Sequence, residues 1–339
     1  MKYPHWPRLA TTLGALTLSI GAFGQASSNA GGRTPGIAGV VSADTPIELL
    51  KEGFKGTEGP VALPDGSLIF TETADNRITR IAADGSTSTY LADSNGANGL
   101  GFDARGNLYA AQVLKPQVGI VSPYGSARVL ADRYEGLPFA RPNDLVVDKQ
   151  GSVYFTDSGA SAAPAAGGAA SAVSRPPAAP AVATAKPAVY RITSQGVLQR
   201  LAADIERPNG IQLSPDEKVL YVANTSGEFV LAYDIAADGT LGPRRDFARL
   251  EGGRKLDNGN VASGADGLAV DALGRLYVAS TAGVQVFSEQ GQPLGTIVLP
   301  KSPQNLAFAG IDKRYLYVVG RGAAWRIATL TPGFGGRAK

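Results

Sequence analysis

Short apolar runs, each broken by one tight polar turn, recur along the whole chain. The clearest copy is Asp266-Gly267-Leu268-Ala269-Val270-Asp271, a turn at Ala272-Leu273-Gly274, then Arg275-Leu276-Tyr277-Val278-Ala279. Glu58-Gly59-Pro60-Val61-Ala62 leads in the same way to Leu68-Ile69-Phe70. Asn98-Gly99-Leu100 leads to Leu108-Tyr109, and Asn143-Asp144-Leu145 to Val153-Tyr154-Phe155. Asn209-Gly210-Ile211 leads to Leu220-Tyr221-Val222, and Gln304-Asn305-Leu306 to Leu316-Tyr317-Val318. Apolar runs this short, bounded by Gly, Asp and Asn, predict strands rather than helices.

Aligning Ile69, Tyr109, Tyr154, Tyr221, Tyr277 and Tyr317 gives intervals of 40, 45, 67, 56 and 40 residues. A period near 40 with two strand pairs per unit is the length of a four-stranded propeller blade. Six units predict an all-β, six-bladed β-propeller. Residues 46–52 read as a strand before the first unit, and the last unit offers only three, at 305–310, 315–320 and 324–330. Because a ring must hide its edges, the N-terminal strand is expected to close the last blade.

The 67-residue interval contains residues 160–187, almost wholly Ala, Pro, Gly and Ser. Such a stretch cannot bury enough apolar area to offset its ordering entropy. Without those 28 residues the interval is 39. It reads as a low-complexity insertion in blade 3. Strand alternation puts it on the same face as the opening residue of each unit, together with the link at 251–264.

Lys2 and Arg8 ahead of an apolar run at 9–23, then Gly24-Gln25-Ala26, read as a signal peptide over residues 1–26. The expected organisation is therefore a signal peptide at 1–26, a flexible leader at 27–45, the propeller at 46–332 and a flexible tail at 333–339. The expected location is exported, periplasmic or secreted, with no membrane span in the mature protein.

Removing 1–26 leaves 30 basic residues against 29 acidic ones. The apparent basicity of the chain thus vanishes, and with it any argument for nucleic acid as a partner. The only histidine, His5, goes too, and there is no cysteine. Ser-His-Asp and Cys-His catalysis are excluded, as are histidine- or cysteine-ligated metals. Any metal must be held by oxygen.

The position opening each unit supplies that oxygen: Glu58, Asn98, Asn143, Asn209, Asp266 and Gln304. Equivalent starts of innermost strands converge on the propeller axis. Each Asn-Gly or Asp-Gly taken alone is also a good turn former, but Glu58 and Gln304 are not covered by that reading. Two carboxylates balance a divalent cation, and amide oxygens with water complete a calcium-like shell. Arg141 stands two residues before Asn143, placed for a substrate hydroxyl or anion. Strict alternation turns Asp144 away from the axis. Asp103, Asp148 and Asp271 share a place before the first turn and are expected to form it.

Glu58-Gly59-Pro60, Arg141-Pro142-Asn143-Asp144, Pro208-Asn209-Gly210 and Asp266-Gly267, in order at blade spacing, resemble the gluconolactonase and senescence marker protein (regucalcin) family over residues 50–330. The resemblance implies one divalent cation in the central channel. Calcium comes first, with magnesium, manganese or zinc as alternatives. It makes Glu58, Asn209 and Asp266 ligands, Asn143 a ligand or substrate contact, and Arg141 a substrate contact; Asn98 joins the substrate side. It further implies a metal-dependent hydrolase of lactones or related esters, with Asp266 as the catalytic base or nucleophile and a small lactone as the partner. The alternative is a non-catalytic exported propeller that holds a structural calcium and binds a small ligand or partner.

Overall fold

The structure is a computed structural model that describes residues 32–160, 183–257, 259–337 and 339. Residues 1–26, expected to be a signal peptide, and most of the Ala/Pro-rich insertion lie outside the described residues. Six four-stranded antiparallel sheets form a six-bladed β-propeller. The innermost strands are Thr57–Ala62, Ala97–Phe102, Pro142–Val147, Pro208–Leu213, Leu268–Val270 and Asn305–Ala309. Each touches the next, and the last touches the first, which closes the ring around one axis.

Closure follows the expected route. Glu48–Glu52 pairs antiparallel with Ala323–Ala328, so the first strand of the fold is the fourth strand of the sixth blade. The driving force is apolar. Trp325, opposite Leu49 in register, is fully buried in a cluster with Ile47, Tyr277 and Phe308.

The six aligned positions from Ile69 to Tyr317 are all buried, as stacked sheets require of the side chains between them. The recurrent acids bind turn backbone. Asp103 Oδ1 accepts from the Arg105 and Asn107 N–H groups, Asp148 Oδ1 from Gln150 and Ser152, and Asp271 Oδ1 from Leu273 and Arg275. These are the turn residues that their placement predicts.

Two segments expected to be flexible are packed instead. Within 32–45, Ile37, Val40 and Val41 are buried between blades 5 and 6, and Arg33 bridges Pro46. The Gly, Ser and Pro content of the segment conceals this three-residue apolar stripe. At the other end, Gly333 bridges Asp271, Phe334 N–H donates to the Val270 carbonyl, and Arg337 is buried against Glu217. Among the described residues no helix is long and apolar enough to cross a membrane.

Candidate active site in the central channel

The register slips by one residue in four innermost strands, between Glu58 and Val61, Ala97 and Leu100, Pro142 and Leu145, and Pro208 and Ile211. Each slip is a β-bulge that re-aims the side chains at the head of the strand. The bulges gather the opening residues at the channel's upper mouth, and the neighbouring blades fix them. Thr71 Oγ1 donates to the Asn98 carbonyl (2.9 Å), Thr156 Oγ1 to that of Asn209 (2.6 Å) and Thr225 Oγ1 to that of Ala265 (2.8 Å).

The glycines after the opening residues serve close approach rather than a turn. A Cβ on Gly59 would lie 2.0 Å from the Asn98 carbonyl oxygen, and one on Gly210 would lie 2.0 Å from that of Asp266. On Gly99 it would sit 2.5 Å from Asp144 Oδ1, and on Gly267 it would sit 2.0 Å from Asn305 Oδ1. All four distances are shorter than atoms tolerate, so the innermost strands meet only because these side chains are missing. The two units without glycine here carry Asp144 and Asn305. They come from blades 3 and 6, opposite each other in the ring, and Asn305 Nδ2 lies 3.5 Å from Asp144 Oδ2.

Asp144 therefore faces the axis, contrary to strict alternation, because the bulge at 142–145 interrupts the alternation. Gln304 is no bare oxygen: its Nε2 donates to Glu58 Oε1 (3.1 Å) and its Oε1 accepts from Arg321 N–H (2.8 Å). Asn305 Nδ2 donates to Glu58 Oε2 (3.3 Å), so blade 6 grips Glu58 by both oxygens. Sequence reasoning missed Asn305, Arg321 and Lys339. The position after each opening residue was the available signal for the first of these, since Gly fills it four times in six.

The amides show a common arrangement. Asn209 Nδ2 donates to Thr225 Oγ1 (3.0 Å), and Asn98 Nδ2 reaches the Asn143 carbonyl and Oδ1 (3.2 Å each). With both nitrogens committed, Asn98 Oδ1 and Asn209 Oδ1 are buried without a hydrogen-bond donor. Buried acceptors lacking partners are costly and need an explanation.

The carboxylates show the same deficit. Burial and then the Asp144 charge push the Glu58 carboxyl up to about 7, against a smaller opposing pull from Asn305, Lys339 and Arg141. Burial, then Glu58 and Asp144, raise Asp266 well above the ordinary range, with Arg321 and Lys339 opposing. Two crowded acids and two donor-starved amide oxygens fit a hard cation, with Asn143 Oδ1 as a further oxygen. No cluster of three or more His, Cys, Asp or Glu side chains poised for a metal occurs among the described residues. A cation here would therefore depend on the amides.

Glu72 is a different kind of buried acid. Burial disfavours its charge, but the Arg77 guanidinium, Thr79 Oγ1 and Lys55 N–H together hold it below the usual range. Its role is to pin blade 1. Asp157 is the blade 3 counterpart, and it holds the N–H groups of Ala140 and Arg141 (2.8 Å each) and thereby places Arg141 at the rim. A surface hollow between blades 3 and 4 includes Asp148, Asp216 and Glu217. Those acids are engaged by turn N–H groups and by Arg337, which leaves the upper mouth as the candidate site.

A pH prediction follows for the protein stripped of cations. Between the unfolded carboxylate range and about 7, the folded state holds a proton on Glu58 that the unfolded chain has released. Stability must therefore fall as pH rises through that window. The raised Asp266 acts in the same direction, while the acids held low, such as Glu72 and Asp103, titrate below it. In chelator the Tm at pH 8 should lie several degrees below that at pH 5. A flat or rising profile by calorimetry would contradict these shifts.

The fold is a six-bladed propeller, and this axial constellation is its candidate site. The chain belongs to the family described as SMP-30/Gluconolactonase/LRE-like region, whose model matches residues 56–321. It is 28% identical over 318 residues to a gluconolactonase of Zymomonas mobilis subsp. mobilis, covering 88% of this chain and 86% of that one. A solved gluconolactonase from Xanthomonas campestris superimposes with a TM-score of 0.71 at 28% identity, over 88% of this chain and 94% of that one. A regucalcin from Agrobacterium tumefaciens, described as calcium-binding, shares the fold with a TM-score of 0.65 at 20% identity, over 88% and 95% of the two chains.

Proposed function

We propose that this protein is a divalent-metal-dependent hydrolase of lactones of the sugar-lactone type. The observation that carries the reading is the convergence of Glu58 and Asp266 with the bare oxygens of Asn98 and Asn209 at one channel mouth. The likeness to gluconolactonases supports the substrate class.

Glu58, Asn143, Asn209 and Asp266 are the residues that would hold the cation. When bound, a divalent ion at such a site supplies Lewis-acid polarisation of an ester carbonyl. Asp266, a base strengthened by burial, takes the proton from the attacking water. The water oxygen bonds to the lactone carbonyl carbon, the ring C–O bond breaks, and the ring oxygen leaves as the new hydroxyl with a proton, giving the hydroxy acid. Arg141, fixed through its backbone by Asp157, and Asn98 bind the substrate's polar groups at the rim. Gln304 and Asn305 hold Glu58 in one orientation, so no reorganisation is needed during reaction.

Glu58→Gln tests the ligand assignment. It keeps the side-chain volume but removes one of the two charges. Cation affinity measured by calorimetry should fall by at least about tenfold, the scale of one charge at a partly buried site, and lactone turnover should fall with it. Unchanged affinity would remove Glu58 from the site.

A further inference from the structure

Residues 331–337 and Lys339 are built into the lower end of the channel. Gly333 bridges Asp271 below blade 5, and Lys313 Nζ donates to the Phe334 carbonyl (3.0 Å) and to that of Arg337. The Arg337 guanidinium donates to the Leu213 and Ser214 carbonyls (2.5 and 3.2 Å) and pairs with Glu217 at 3.2 Å. These anchors lie at the lower ends of the innermost strands of blades 4 and 5 and on the first turn of blade 6. Beyond them the Lys339 side chain, 3% exposed, ends with Nζ on Asp144 Oδ2. Asp144 Oδ2 in turn lies 3.5 Å from Asn305 Nδ2, whose other acceptor is Glu58 Oε2 at 3.3 Å. One continuous line of contacts runs from Lys339 through Asp144 and Asn305 to the proposed ligand Glu58.

We infer that Lys339 is a positioning residue, a tethered ammonium that enters the channel from below and fixes the net charge the upper mouth presents to a cation. The inference rests on the cation reading above. Three acids, Glu58, Asp144 and Asp266, crowd the axis, and fully ionised against a bound cation their summed charge would match a trivalent ion. Lys339 offsets one of them, which leaves a pair of negative charges suited to a divalent ion. Two of the axial glycines make the arrangement possible, Gly99 by leaving room for Asp144 and Gly267 by leaving room for Asn305. The Lys339 ammonium pairs with Asp144 rather than with a proposed ligand. Its effect is electrostatic, and it is also steric, through the orientation of Asp144.

The test is cation selectivity, read by binding rather than by turnover. Affinities of the full chain for calcium and terbium(III) are measured by titration calorimetry and tyrosine-sensitised luminescence. Lys339→Met should raise the terbium-to-calcium affinity ratio on the order of tenfold, the effect of one nearby unit charge on ions differing by one charge. Lys339→Arg should retain the wild-type ratio. Asp144→Asn should lower it by a similar factor, and the double variant K339M/D144N should return it close to wild type, because the two charge changes cancel in the sum. Should K339M fail to fold, Asp144→Asn alone carries the same prediction with the opposite sign. A folded K339M with an unchanged ratio, or a D144N that shifts nothing, overturns the inference while leaving the cation site intact. A wild-type protein that binds neither ion overturns both the cation reading and this inference.

Discussion

Asp266→Asn should lower lactone turnover by about three orders of magnitude while leaving the fold intact, within the range expected when a positioned base is removed. The backbone of Asp266 is what the fold uses: its N–H donates to the Ala279 carbonyl (2.9 Å), and its own carbonyl stands where Gly210 allows it. Asn preserves volume and those bonds. Only the charge and the basic oxygen are lost. Because burial, and then the neighbouring Glu58 and Asp144, disfavour the Asp266 carboxylate, its neutralisation should raise the Tm of the cation-free protein above pH 7. A drop in rate with a raised Tm separates a chemical role from a structural one. A variant retaining most of its turnover would move the base elsewhere.

Deleting residues 46–52 should abolish the soluble, cooperatively folded protein. The strand Glu48–Glu52 is the outer strand of blade 6, and its loss bares the edge of Ala323–Ala328. It also removes Ile47 and Leu49 from the cluster around Trp325, at about 1.5–3 kcal/mol for each buried aliphatic side chain. An unpaired edge beside exposed apolar surface favours association between chains. The loss compares with the whole stability of an ordinary domain, about 5–15 kcal/mol. The check is far-ultraviolet circular dichroism with sedimentation. A monomeric, cooperatively melting deletion variant would show that the ring does not need this closure.

The repeat made the fold legible. Aromatic spacing located all six blades, and the three-stranded last unit foretold the closing strand, because both are local consequences of period-2 burial. The opening residues were legible for the same reason. Asp144 was not, because a bulge shifts side-chain direction without any mark in composition. The Asn-Gly and Asp-Gly pairs suggested turns, although the decisive constraint is Gly210 against the next blade, a contact between segments 56 residues apart. Lys339 and the stripe at Ile37, Val40 and Val41 lie in Gly-rich segments. Their burial depends on surfaces made elsewhere in the chain, and no local period reports them.

The most direct test of the central claim is hydrolysis of D-glucono-δ-lactone and a small lactone panel by chelator-stripped protein, with calcium, magnesium, manganese and zinc returned one at a time. The expected result is negligible turnover in chelator and recovery with a divalent ion, calcium foremost. Folded protein that binds a divalent ion yet hydrolyses no lactone with any of the four would contradict the lactonase reading and leave a binding propeller in its place.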